Sequence, residues 1–161
     1  MSFRVGLGTD VHRLDTGLPL ILGGIPIEHT HGLVGHSDAD IVLHAITDAL
    51  LGAVGLGDIG EWFPDTDPEW KGADSSKFVE AAVSELANQG WQVVNLDCII
   101  HAQAPKLLPY KAEIRANLAR LLRVEESQIN VKAKTGEKVG PVGERQAMEA
   151  TVVVLVQQAD S

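Results

Sequence analysis

Residues 41–54 constrain the fold most, because they are almost entirely apolar yet share a helix with a regular series of polar residues. Their apolar positions recur with the period of a helix: Ile41, Val42, Ala45, Ile46, Ala49 and Leu50. His36, Asp40, His44 and Asp48 recur every four residues, which on a helix makes one polar stripe headed by His36. A polar stripe on a mostly buried helix needs partners from another element. We expect Asp38 to cap this helix.

The N-terminal segment offers such partners. Residues 3–10 read as a strand, and Asp10 and His12 are two positions apart, so both side chains leave the same face of an extended chain. With His44 they could supply the three protein ligands of a zinc ion whose fourth position is open. Plainer interpretations stay open, since Asp-x-His is common at strand ends and a buried His44 could be satisfied by neighbouring carboxylates.

The remaining segments alternate between strand and helix patterns. The expected order is a hairpin at 18–28 interrupted by Gly23-Gly24, a Gly-, Asp- and Pro-rich loop at 55–72, helix 74–88, strand 91–101, helix 109–122, strand 128–134, a Gly-rich turn at 136–143 and strand 147–157. The continuously apolar run 152–156 predicts a strand buried on both faces. This alternation predicts an α/β fold.

Length and composition limit the class of protein. At 161 residues, the chain fits one domain with a substantial core. Its one cysteine, Cys98, excludes an internal disulfide framework and a Cys-rich zinc site. The formal net charge of -9 argues against a nucleic-acid partner, and a phosphorylated ligand would need a metal or well-placed Lys and Arg. The hydropathy pattern predicts neither a membrane span nor a secretory signal.

Two short segments around the first helix could bind a ligand. His36 and Ser37 precede the helix and, with its first-turn amides, could receive an anion. Asp58 lies close to two glycines and could accept hydrogen bonds from the hydroxyls of a polyol. The plainer alternatives are a solvated loop histidine and a set of Asx-turns at the surface.

Two segments in the second half of the chain offer further binding groups. Residues 102–109 leave a strand and enter a helix, so that their exposed amides could read a base edge while Lys106 meets a phosphate. Residues 132–138 end a strand with lysines, Thr135 and Glu137, a pattern compatible with a phosphate and metal site. The alternative for both segments is lysines in solvent.

These motifs together resemble one family, the 2-C-methyl-D-erythritol 2,4-cyclodiphosphate synthases of the non-mevalonate isoprenoid pathway. The matching segments follow the family's order and cover nearly the whole chain: 8–12, 36–44, 47–53, 57–60, 63–68, 72–75, 102–106, 130–133 and 137–138. The resemblance implies a single domain over 1–161, with a mixed sheet and helices packed on one face. It also implies a homotrimer around a three-fold axis, with active sites between subunits.

The implied activity is that of a phosphorus–oxygen lyase. The substrate would be 4-diphosphocytidyl-2-C-methyl-D-erythritol 2-phosphate, whose 2-phosphate attacks the β-phosphorus, expels CMP and closes a cyclic diphosphate. On this resemblance, Asp10, His12 and His44 hold a divalent metal, usually zinc, with manganese or cobalt as alternatives. A second cation, magnesium or manganese, would be held by the phosphates and Glu137.

The resemblance also assigns roles to other side chains. His36 and Thr135 would stabilise the charge that develops on the phosphates. The substrate-binding residues would be Ser37, Asp58, Ile59, Gly60, Phe63, Asp65, Asp67, Ala102, Gln103, Ala104, Pro105, Lys106, Leu107, Leu108, Lys134, Glu137 and Arg145, of which 102–108 form the cytidine pocket.

One segment departs from the family pattern. Many bacterial members carry Phe and Arg at the positions of Pro141 and Glu144, and Arg145 is displaced by one residue. The family's three-fold axis can enclose an apolar cavity that accepts an isoprenoid diphosphate, and the departure argues against that binding in this chain. Lys134 replaces a small polar residue that is more common beside the position of Thr135.

Other functions remain as competing hypotheses. A zinc phosphodiester hydrolase could use the same three ligands with a metal-activated water. A non-catalytic module could bind an isoprenoid diphosphate in a trimer cavity. A zinc deaminase is disfavoured because its His-x-Glu and Pro-Cys-x-x-Cys pattern is missing from the sequence. The expected compartment is the bacterial cytoplasm, or the plastid stroma if a transit peptide has been removed.

Overall fold

The secondary structure alternates as the sequence pattern predicts, with additional short elements in the loops. The computed structural model describes residues 2–159, so Met1, Asp160 and Ser161 of the predicted domain lie outside the described residues. The elements are β1 (Phe3–Thr16), β2 (Leu20–Leu22), β3 (Ile25–Ile27), β4 (His31–Leu33), α1 (Ile41–Val54), α2 (Ile59–Trp62), α3 (Ser76–Asn88), β5 (Trp91–His101), α4 (Lys111–Leu122), β6 (Ile129–Lys134), α5 (Gly140–Gly143) and β7 (Ala147–Gln158).

Five strands form one mixed sheet in the order β4-β1-β7-β5-β6. β5 and β6 are parallel, whereas the other neighbours are antiparallel. Phe3 of β1 pairs with Gln157 of β7, and the same ladder later pairs Asp10 with Ala150. Helices α1, α3 and α4 pack on one face of the sheet, while β2 and β3 form a separate hairpin. The predicted α/β fold with a mixed sheet is confirmed.

Strand β1 and helix α1 approach each other closely because two strand positions lack side chains. A Cβ atom at Gly6 would lie 1.8 Å from the carbonyl oxygen of Ala49, and one at Gly8 would lie 1.9 Å from that of Ala45. Any larger residue would push the helix away from the strand. Small residues of α1 face β1 at this contact: a Cβ atom at Gly6 would also lie 3.0 Å from the Cβ of Ala53.

The cap of α1 differs from the expectation. Asp40 is the N-cap, and its carboxylate accepts the backbone N–H groups of Val42 and Leu43. It also accepts the N–H groups of Gly23 and Gly24, which ties the β2–β3 turn to the helix. Burial raises the pKa of Asp40 to about 6, against the opposing effect of these backbone N–H donors. The prediction that Asp38 caps α1 is wrong. Asp38 lies two residues before the N-cap, and its carboxylate accepts the backbone N–H groups of Asp40 and Ser75.

Several boundaries differ from the predicted ones for local reasons. β1 continues past residue 10 to Thr16 because its second half pairs with β7 and then β4. The segment 55–72 contains α2 and a short 3-10 turn, each with an Asp cap, so it is more ordered than its lack of periodicity indicates. α3 begins at Ser76, two residues later than expected.

The second face of the sheet is open in the single chain. Val152, Val154 and Val156 are buried, but Val153 is 43% exposed, so the prediction that β7 is buried on both faces is wrong for the chain alone. Val5 and Leu7 of β1 are 65% and 63% exposed on the same face. Within residues 2–159, none of the helices combines the length and the hydropathy needed to cross a bilayer.

We expect Gly8→Ala to lower the free energy of unfolding by more than about 2 kcal/mol, because the new Cβ would overlap the α1 backbone. Gly52→Ala is the matched control, since a Cβ there meets nothing within 4 Å and alanine favours an exposed helical position by up to about 1 kcal/mol. Urea denaturation of both variants measures the difference. Equal stabilities for the two variants would show that the strand–helix contact is not tight.

Candidate functional site

Asp10, His12 and His44 converge on one point between β1 and α1. The Asp10 Oδ2 atom lies 3.0 Å from His12 Nε2 and 3.0 Å from His44 Nδ1. One ligand atom from each residue falls within 4.8 Å of the other two. The proximity that the two sequence periods predicted is therefore present, and one carboxylate with two imidazoles is a donor set suited to a divalent transition metal such as zinc.

The charge on Asp10 suits it to this role. Burial opposes ionisation, but hydrogen bonds from His12 and His44 outweigh it and lower the pKa of Asp10 to about 2. The hydrogen bond with Asp10 likewise raises the pKa of His12, which burial opposes and the Val34 carbonyl assists. In the absence of a metal, the protonated imidazole of His12 balances the charge of the Asp10 carboxylate, and a bound cation would replace that proton.

Each histidine is oriented by a bond from its other ring nitrogen. His12 Nδ1 donates to the carbonyl oxygen of Val34, which leaves Nε2 facing Asp10. His44 Nε2 lies 2.8 Å from the Ser75 hydroxyl and 3.0 Å from the Ser37 hydroxyl, which leaves Nδ1 facing Asp10. Partners of this kind fix the ring orientation of metal-binding histidines.

A cavity of about 480 Å³ opens beside the three donors. It is lined by Asp10, His12, Gly35, His36, Ser37, His44, Ile59, Gly60, Phe63, Pro64, Asp65, Trp70 and Phe78. Nine of these are predicted site residues, and four are not predicted from the sequence: Gly35, Pro64, Trp70 and Phe78. Phe78 is not predicted because its helical spacing resembles that of a core residue.

Aromatic side chains form one wall of this cavity. Phe63 stacks on Phe78 with ring centroids 4.5 Å apart, and Trp70 meets Phe63 edge-on at 5.2 Å. These contacts join the loop after α2 to helix α3. The presence of Trp and Phe in an otherwise polar loop is the sequence signal that could have located this wall.

Two carboxylates of the same loop, Asp58 and Asp67, shape the loop and do not line the cavity. Asp58 accepts the N–H of Glu61 at 3.0 Å, and Asp67 accepts that of Glu69 at 2.9 Å. Neither side chain is among the cavity-lining residues. The Asp67 carbonyl accepts a bond from His36 Nε2 at 3.1 Å, so this loop is tied to the segment before α1.

Helix α1 also contributes a side chain that holds the 55–72 loop in place. Asp48, the last member of the polar stripe, accepts the N–H of Ile59 at 2.7 Å, and burial raises its pKa. His36 lies outside the helix and so is not part of that stripe. The expected anion site on the first-turn amides is wrong, because Asp40 already occupies the N–H groups of Val42 and Leu43.

The other expected substrate-binding residues lie outside the cavity beside Asp10, His12 and His44. Ala102 donates its N–H to the Lys134 carbonyl at 2.9 Å, and the Gln103 side chain accepts the N–H of Lys138 at 3.4 Å, so the 102–108 loop and the turn after β6 are neighbours. The Thr135 hydroxyl donates to Glu137 at 2.8 Å. None of these residues lines the cavity beside Asp10.

Side-chain exposure varies within this second group. Lys106, Leu108, Lys134 and Glu137 are exposed, and the short turn Ala104–Pro105 has a cis peptide bond. The Leu107 side chain is 4% exposed and belongs to the core, so only its backbone is available to a ligand. Arg145 lines a smaller cavity of about 110 Å³ together with Leu14, His29, Thr30, His31, Gln103 and Ala104.

Known proteins resemble this chain over nearly its whole length. The profile of the YgbB family matches residues 3–157. The chain belongs to the YgbB family. A relative from Bordetella avium, named 2-C-methyl-D-erythritol 2,4-cyclodiphosphate synthase, is 56% identical over 97% of this chain and 96% of its own length. The predicted family membership is therefore confirmed.

Solved structures of YgbB-like proteins have the same fold. The bifunctional IspDF from Campylobacter jejuni superposes with a TM-score of 0.95 at 41% identity, covering 99% of this chain but 43% of that longer protein. A 2C-methyl-D-erythritol-2,4-cyclodiphosphate synthase described as the CDP-bound form matches with a TM-score of 0.89 at 39% identity, over 96% of this chain and 100% of its own.

We expect zinc affinity to fall as the pH is lowered, because protons compete with the metal for His12 and His44. The pKa of His12 is raised, so protons already occupy it at a pH where an ordinary histidine is neutral. Zinc titrations of the metal-free protein between about pH 5.5 and 8 measure this dependence. An affinity that does not change over that range would exclude the two histidines as ligands.

Proposed function

We propose that the protein converts 4-diphosphocytidyl-2-C-methyl-D-erythritol 2-phosphate into 2-C-methyl-D-erythritol 2,4-cyclodiphosphate and CMP. An oxygen of the 2-phosphate attacks the β-phosphorus, and the bond from that phosphorus to the CMP phosphate breaks, so CMP leaves with the electron pair. The carrying observation is a cavity that joins Asp10, His12 and His44 to His36 and Ser37 in a chain 56% identical to a synthase of this name. The reaction is that of a phosphorus–oxygen lyase in isoprenoid precursor synthesis.

The difficulty of this reaction is that one anion must approach another. A divalent metal held by Asp10, His12 and His44, zinc in our proposal, would supply Lewis-acid charge and a fixed point for phosphate oxygens. The Ser37 hydroxyl would donate a hydrogen bond to a phosphate oxygen from the cavity wall, and His36, whose Nε2 bonds to the Asp67 carbonyl, would offer its Nδ1 side. The cavity presents three imidazoles against the carboxylates of Asp10 and Asp65, so its wall is far less acidic than the chain as a whole.

The methylerythritol portion of the substrate fits the loop side of the cavity. Ile59 and Gly60 offer backbone groups, while Phe63 and Asp65 close the wall. Asp58 and Asp67 serve this pocket in our proposal mainly by shaping the loop, in agreement with their capping bonds. The cytidine diphosphate part of the substrate would bind to residues 102–108 together with Lys134, Thr135, Glu137 and Arg145. Glu137 would hold a second cation, magnesium or manganese, which would supply positive charge to the phosphates.

The distribution of these residues supports a homotrimer. Neither the 102–108 loop, which follows β5, nor the turn after β6 lines the cavity beside Asp10, so the cytidine loop and the metal donors of one chain do not share a cavity. The apolar positions of the open sheet face, Val5, Leu7, Val11 and Val153, are available for contacts between subunits. We propose that metal ligands from one subunit face the cytidine loop of the next around a three-fold axis.

The chemistry is tested by following both products. We expect the zinc-loaded protein with magnesium to release CMP without incorporating oxygen-18 from labelled water, because the nucleophile is the substrate's own phosphate. His44→Ala should lose bound metal and lower CMP release by at least about 100-fold. Glu80→Ala, on the exposed surface of α3, is the control and should keep both. Solvent label in a product would instead indicate a phosphodiester hydrolase.

The shared active site is tested by mixing two inactive variants. His44→Ala removes a metal ligand, and Lys106→Ala weakens the cytidine loop. If these residues meet across subunits, then mixed trimers regain sites with both native halves, and random assembly restores up to about a quarter of wild-type activity. Refolding or co-expression followed by the CMP assay measures this recovery. A mixture no more active than its components, in trimers of confirmed mass, would contradict a site between subunits.

A further inference from the structure

We infer that Ser75 and Asp38 are positioning residues that hold the Nε2 proton of His44 and so direct its Nδ1 toward the metal; the inference rests on the metal site proposed above. Ser75 lies at the start of α3, on the opposite side of the imidazole from Asp10. Neither residue lines the cavity, so they act through His44 and not on the substrate.

The position of the Ser75 hydroxyl calls for an explanation. Ser75 occupies the N-cap position of α3, but its hydroxyl makes no capping bond to the helix. Its side chain is fully buried, at 0% exposure, so water does not satisfy it. The hydroxyl instead lies 2.8 Å from His44 Nε2 and 2.5 Å from the Asp38 carboxylate. The Ser75 hydroxyl is therefore positioned to bond with His44 and Asp38 and not to cap α3.

The direction of the protons follows from the donors and acceptors. The Asp38 carboxylate only accepts, and it also receives the backbone N–H groups of Ser75 and Asp40 at 3.0 and 3.1 Å. The Ser75 hydroxyl proton is therefore committed to Asp38, which leaves an oxygen lone pair toward His44. That lone pair requires a proton on Nε2, and the lone pair of Nδ1 is then the one that can bind a metal.

Ser37 has a different role from Ser75 although both hydroxyls approach the same nitrogen. Its hydroxyl lies 3.0 Å from His44 Nε2, but it is half-buried and lines the cavity. It also accepts the N–H of Ala39 at 3.3 Å. Because the Nε2 proton goes to Ser75 and the Ser75 proton goes to Asp38, the Ser37 hydroxyl keeps its own proton, which it can donate to the Ser75 oxygen 3.4 Å away or to an anion in the cavity. The two serines thus divide metal orientation from substrate contact.

The experiment measures metal affinity and the Nε2 proton, and not only activity. Metal-free wild type, Ser75→Ala, Asp38→Asn and Ser76→Ala are titrated with zinc against a chromophoric chelator. Ser76→Ala is the matched control, because it removes a neighbouring hydroxyl that makes no bond to His44. We expect about a 10-fold loss of affinity for Ser75→Ala and for Asp38→Asn, within the range for partners of metal-binding histidines, and no loss for the control.

Proton NMR of the zinc-loaded proteins supplies the second measurement. The wild-type His44 Nε2–H should give a downfield signal that exchanges slowly with water, and Ser75→Ala should speed that exchange at least 10-fold. Should one variant fail to fold, the other variant and the wild-type signal still decide. Zinc affinity and exchange unchanged in Ser75→Ala would overturn the inference alone. Wild type that binds no zinc would overturn the metal site and the proposed function with it.

Discussion

The close approach of β1 to α1 is the contact on which the rest of the structure depends. Two residues of a strand advance about 6.7 Å, and four residues of a helix advance about 6 Å, so the two elements can stay in register over several steps. Gly6 meets Ala49 and Gly8 meets Ala45, and Asp10, the next residue on that face of β1, meets His44, the residue beside Ala45. The Asp10–His44 contact therefore lies directly beside the strand–helix packing. The spacing of these two residues is set by the core and not by a loop.

The surroundings of the donors show how an acidic chain can offer a site to a phosphorylated ligand. The carboxylates closest to α1 are used internally: Asp40 accepts four backbone N–H groups, and Asp38 accepts bonds from Ser75 and from the Asp40 backbone. Asp48 accepts from the backbone of α2. These carboxylates accept N–H and O–H donors and so fix the segments around the cavity. Because their charge is balanced by these internal hydrogen bonds, the histidines dominate the surface that a ligand meets.

The sequence predicts the parts of the fold that depend on local periodicity. The helices, the long strands and the proximity of Asp10, His12 and His44 follow from periods of two and of nearly four residues. The choice of Asp40 over Asp38 as the cap does not, because it depends on the N–H groups of Gly23 and Gly24, which are distant in sequence. The roles of Ser75 and Phe78 do not follow from the sequence for the same reason, since each side chain contacts residues of another element. The separation of 102–108 from the metal donors depends on strand order, which local pattern does not specify.

The pairing of Phe3 with Gln157 has a consequence for how this chain can be extended. The two ends of the fold emerge side by side, and Asp10 lies seven strand residues further along, or about 24 Å away. A polypeptide joined beyond Phe3 or Gln157 would begin at the opposite end of the β1–β7 ladder from the metal donors. The architecture thus leaves both ends free for attachment, whether of an affinity tag or of another enzyme, without obstructing entry to the cavity.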